Sequence, residues 1–114
     1  MKAFLSFVTL FTLSSSPLHA ELVLHWPLDE TDGAANVTDD IGGHSGAVGD
    51  GVSFGKDGAN PSTGTAAEFE GSGGIQAEWA EAINPESFTL TLWAKSNGGA
   101  GAWNSPVTSR HDLN

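Results

Sequence analysis

An alternating run late in this chain, Ser87-Phe88-Thr89-Leu90-Thr91-Leu92-Trp93-Ala94-Lys95, sends Phe88, Leu90, Leu92 and Ala94 to one side of an extended backbone. Thr89, Thr91, Trp93 and Lys95 go to the other. A strict period of two predicts a half-buried β-strand whose apolar set belongs to a core. Trp93 then stands on the polar face, where something must either cover the ring or bind it.

The rest of the chain also reads as strand and turn. In Glu21-Leu22-Val23-Leu24-His25-Trp26-Pro27-Leu28, the residues Leu22, Leu24, Trp26 and Leu28 share one face, which predicts a first strand, with Pro27 suited to an edge. From Asp29 to Gly46 the Asp, Gly and Thr content predicts a long irregular loop. Ala47 to Gly55 predicts a weak strand, or a hairpin turning at Asp50-Gly51, and Lys56 to Gly64 predicts a loop. Thr65 to Glu70, with Ala67 and Phe69 inward, and Ile75 to Trp79 predict two antiparallel neighbours joined by Gly71-Ser72-Gly73-Gly74. Glu78 to Ile83 allows one helical turn before Pro85. Frequent strands between Gly and Asp turns indicate an all-β antiparallel β-sandwich.

Residues 1–20 have the organisation of a secretory signal peptide. Met1-Lys2 is basic, Ala3 to Leu13 is apolar, and Ser14 to Ala20 ends in a small residue, which predicts cleavage after Ala20. The apolar stretch is short of the about 20 residues a membrane-spanning helix needs, so export rather than membrane insertion is expected, to the extracellular space or a periplasm. Without the first 20 of its 114 residues the chain keeps 94, with three basic side chains against fourteen acidic ones, a net charge of −11. Such a surface repels phosphate backbones and argues against nucleic acid as a partner. Cysteine is absent, so core packing or a metal has to replace disulfides, and all fifteen glycines dilute the core of residues 21–114. The extended-looking Ser105-Pro106-Val107-Thr108 close to Asn114 gives the expectation of a fragment, the N-terminal portion of a larger sandwich.

His25-Trp26-Pro27-Leu28-Asp29-Glu30, Asp40-Ile41-Gly42-Gly43-His44-Ser45-Gly46, Ala67-Glu68-Phe69-Glu70-Gly71 and Ser87 to Lys95 follow one another in order across nearly all of residues 21–114. This series resembles the opening half of the LamG-like domains of the concanavalin A-like lectin/glucanase superfamily. Its landmarks are a Leu-Asp-Glu-like turn, an Asp-x-x-Gly-x-x-x-Gly loop, a Phe-(Asp or Asn)-Gly strand end and a Phe-Thr-(apolar)-x-x-Trp-(small)-Lys strand. Glu70 departs from the usual Asp or Asn, and the segment between Val48 and Gly64 follows the pattern only loosely. The resemblance implies a jelly-roll sandwich, incomplete in this chain, and a structural calcium.

Catalysis finds little support. Glycan hydrolases similar in fold carry a Glu-x-Asp-x-x-Glu strand that aims alternate carboxylates at the sugar, and no such run occurs. Glu68 and Glu70 share a strand face but read as solvated acids beside a glycine turn. His25, His44 and His111 have no shared spacing that would make a zinc site. Asp29, Glu30, Asp32, Asp39 and Asp40 crowd one segment, and calcium is held by such oxygen-rich loops, with Asp29, Asp32 and Asp40 as candidate ligands. Acids of this kind equally cap loop amides. Asn36-Val37-Thr38 fits a glycosylation sequon, a pattern frequent by chance.

Of the tryptophans, Trp26 and Trp79 share a face with core residues of their strands and are expected to be buried. Trp93 and Trp103 are the candidate ligand platforms, with Thr91 as a polar partner, because pyranose C–H faces stack on aromatic rings while hydroxyls and amides bind their edges. The expected function is a noncatalytic extracellular recognition module for a polysaccharide or a cell-surface protein. The alternatives are the N-terminal part of a secreted glycan-degrading enzyme and a purely structural adhesin-type module.

Overall fold

A computed structural model describes residues 20–98 and 105–108. Residues 1–19 of the expected signal peptide, 1–20, lie outside the described residues, as do Trp103 and His111. Five strands form two antiparallel sheets, and among the described residues there is no α-helix. The strands are β1 Asn36–Val37, β2 Gly46–Val48, β3 Val52–Asp57, β4 Thr65–Phe69 and β5 Ile75–Ala77, followed by a 3-10 turn at Glu81–Ile83. One sheet has the order β1-β2-β5, and the other is β3-β4.

The pairing shows that residues 46–57 and 65–77 are the two arms of one long hairpin. Gly46 to Val48 pair with Ala77 to Ile75, and Val52 to Asp57 pair with Phe69 to Thr65. The loop closing it is 58–64, where Asn60 turns the chain by accepting the Ser62 N–H on its side chain at 2.9 Å and the Thr63 N–H on its carbonyl at 3.1 Å. Asp50-Gly51 is therefore not a hairpin turn, as the sequence allowed. It is a bend where one arm leaves the first ladder and enters the second. Gly51 has φ +80, and its carbonyl accepts the Glu70 N–H at 2.8 Å, so the bends of the two arms are tied together. For the same reason β4 and β5 are not neighbours, each being paired with the opposite arm.

Alternation sorts the first sheet into two faces. Val37, Gly46, Val48, Ile75 and Ala77 are buried or half-buried, while Asn36, Ala47 and Gln76 are exposed. Val37 is fully buried and Phe54 of β3 is 4% exposed. The indole of Trp26 lies over Gly46: a Cβ there would come within 2.7 Å of Trp26 Cη2 and 2.6 Å of Ile75 Cγ2. In the second sheet Lys56 Nζ meets Glu68 at 3.0 Å across the strands, and the Asn97 amide reaches the other oxygen of that carboxylate at 3.3 Å. Hydrogen bonding to Glu68 and its charge raise the Lys56 pKa above the ordinary lysine value.

Several expectations are corrected. Glu21 to Leu28 belongs to no ladder, and Leu22 is exposed. It is anchored instead by single bonds at His25, and the chain turns away at Leu28, which adopts φ +60. The supposed loop from Asp29 to Gly46 contains β1, and Phe69 is exposed rather than inward. Ser87 to Lys95 is the largest departure. It joins neither sheet, and Phe88, Leu90, Leu92 and Trp93 are all exposed. Period-two patterning states which face would be buried beside a neighbour, but it supplies no neighbour, and this segment enters neither ladder.

Candidate functional site

The exposed face of the first sheet carries the candidate site. Register places Asn36 opposite Ala47, and Ala47 opposite Gln76, so two amide side chains flank a methyl group in one row across three strands. The row lines an open hollow of about 420 Å³, which is also lined by Gly43, His44 and Ser45, leading into β2, and by Glu78, Trp79 and Ala80, which follow β5 at the same end of the sheet. Trp79 was expected in the core because it has the parity of Ile75 and Ala77. The strand ends at Ala77, parity lapses, and the ring is 74% exposed at the edge of the hollow.

One carboxylate fixes the wall formed by residues 43–45. Asp39 is 7% exposed and accepts four backbone N–H groups: His25 at 3.0 Å and Ile41 at 3.0 Å on Oδ1, and Gly42 at 3.1 Å and His44 at 2.8 Å on Oδ2. Burial opposes its negative charge, but the donors from His25, His44, Ile41 and Gly42 outweigh that and hold the carboxyl well below the usual carboxylate range. Gly42 is required in this loop because a Cβ would run into the Val23 carbonyl. From beneath, Trp26 Nε1–H donates to the His44 carbonyl at 2.8 Å. The loop is thus clamped from its own side by Asp39 and from the core side by Trp26.

No protein-family model, curated protein or solved structure matches this chain. The site rests on its own geometry.

The acids proposed for calcium are spread over separate tasks. Asp32 Oδ1 accepts the Phe54 N–H at 2.9 Å, and Asp40 Oδ1 lies 2.8 Å from His25 Nδ1. Asp29 is exposed beside Gly64. Glu30 Oε1 accepts the Thr38 N–H at 2.8 Å, while its other oxygen is buried without a hydrogen-bond partner. Among the described residues no three His, Cys, Asp or Glu side chains come together as a metal-holding group. Trp93 and Thr91 are exposed on the unpaired segment and do not line the hollow, and Trp103 lies outside the described residues.

Sequence reasoning missed Asn36, Gln76, Glu78 and Trp79 as a group, since pairing register alone juxtaposes them. Asp39 could have been found. The spacing Asp39-x-x-Gly42-x-x-x-Gly46 fits the Asp-x-x-Gly-x-x-x-Gly loop better than Asp40 does.

Proposed function

We propose that this chain is a noncatalytic, exported recognition module of LamG-like, jelly-roll type that binds carbohydrate in the hollow on its first sheet. The observation that carries this reading is the exposed Trp79 ring beside a register-fixed row of amides, Asn36 and Gln76. An aromatic face takes the C–H side of a pyranose ring, and amides bind its hydroxyls as both donors and acceptors. The wall at residues 43–45 is pre-organised by Asp39 and Trp26, which lowers the ordering cost of binding. Among the described residues Glu78 is the one carboxylate lining the hollow, which favours binding over the two-carboxylate chemistry of glycoside hydrolysis.

Affinity electrophoresis of the purified chain against a panel of soluble polysaccharides tests the proposal. Retardation on at least one glycan is expected, abolished by Trp79→Ala and weakened by Gln76→Ala, with circular dichroism unchanged. Trp93→Ala serves as a comparison and should retain binding. No retardation on any glycan, or full retardation of Trp79→Ala, refutes the proposal.

A further inference from the structure

Resting on that reading, the charge pattern of the hollow narrows the ligand. Among the described residues its lining contains one carboxylate, Glu78, one imidazole, His44, and neither lysine nor arginine. The whole chain carries fourteen acidic side chains against four basic ones, so the surrounding field is negative as well. A uronate or sulfated sugar entering the hollow meets no lysine or arginine among the described residues, and the field opposes its approach. A protonated amine on the sugar meets the opposite situation. Glu78 is adjacent in sequence to Trp79, both line the hollow, and the ring is largely exposed. A carboxylate pairs with an ammonium by a charge-assisted hydrogen bond, and an indole face attracts the same cation through its quadrupole. The amides of Asn36 and Gln76 remain for the hydroxyls.

We infer that the hollow selects amine-bearing hexoses, such as a de-N-acetylated glucosamine oligomer, over neutral and anionic sugars. Glu78 supplies the discrimination and Trp79 the platform.

Titration calorimetry of the purified chain separates this inference from the broader one. The probes are a glucosamine oligomer with free amines, its fully N-acetylated counterpart, a neutral glucan oligomer and a uronate oligomer, at low salt and at a pH below the sugar amine's pKa. The free-amine oligomer is expected to bind best and the uronate not at all. Glu78→Gln should weaken the free-amine oligomer about threefold to tenfold and the glucan by a clearly smaller factor, and added salt should reproduce part of the loss for the amine. Trp79→Ala should weaken every sugar that binds. Equal binding of the free-amine and N-acetylated oligomers, or an equal effect of Glu78→Gln on amine and glucan, overturns the amine selectivity while carbohydrate binding stands. Failure of every oligomer overturns both. Glu78→Gln is exposed and conservative, and an unchanged circular dichroism spectrum excludes misfolding as the cause of any loss.

Discussion

Replacing Gly46 by alanine adds one methyl group where β1, β2, β5 and Trp26 meet. Gly46 is not among the positive-φ glycines, so backbone strain does not enter, and the effect comes from packing. The new carbon would lie 2.6 Å from Ile75 Cγ2 and 2.7 Å from both Trp26 Cζ2 and Trp26 Cη2. Carbon atoms at rest stay about 3.5–4.0 Å apart, so the indole has to move by roughly an ångström. Overpacking of this kind costs about 1–3 kcal/mol. If the indole swings far enough to break its bond to the His44 carbonyl, a further ~1 kcal/mol is lost. The expected total is about 2–4 kcal/mol, a large part of the stability of a small domain. Urea unfolding followed by far-ultraviolet circular dichroism measures it as a fall in midpoint at constant slope. Trp26→Phe in the same chain removes the two indole atoms responsible, so the double variant should recover about half the loss. A Gly46→Ala midpoint within about 0.5 kcal/mol of the parent would refute the packing of Trp26 over Gly46 and the clamp built on it.

Asp39 makes stability depend on acid. Its carboxyl is held below the ordinary value of 3.8, so its contribution is present above that pH and is lost as the pH falls through and beneath it. Urea midpoints measured across the acid range should fall there for the parent, and less steeply for Asp39→Asn, whose amide faces two N–H donors with a third donor and lowers the midpoint at neutral pH. Gly51→Ala should destabilise by about 1–3 kcal/mol, because φ +80 and the nearby Glu70 carbonyl both oppose a side chain, and a thermal melt would show it.

Thr65–Phe69, Ile75–Ala77 and the 3-10 turn at Glu81–Ile83 are legible because each is a short pattern bounded by Gly or Pro. Their partners are not. Alternation in Thr65 to Glu70 says nothing of whether the next strand or the preceding one supplies the ladder, and the preceding arm does so here. Asn36–Val37 is too short for a pattern and sits among turn-forming residues. Ser87 to Lys95 misleads for the opposite reason, having an ideal period and no adjacent sheet. At the site, the parity that made Trp79 look buried holds only while the strand lasts. The polar row needed the register of β1 on β2 and of β2 on β5, information held in distant contacts rather than in any one segment.

The unpaired segment has a practical side. Phe88-Thr89-Leu90-Thr91-Leu92-Trp93 contains six residues without charge, glycine or proline, and its backbone enters no ladder. Short uncharged stretches of this composition are those that stack between chains into cross-β fibrils when left open. Glu86 and Lys95 stand at its flanks as the charges that resist such growth. Two side chains outside the lining of the hollow thus guard the solubility of the purified chain, and neutralising both is expected to promote its aggregation at high concentration.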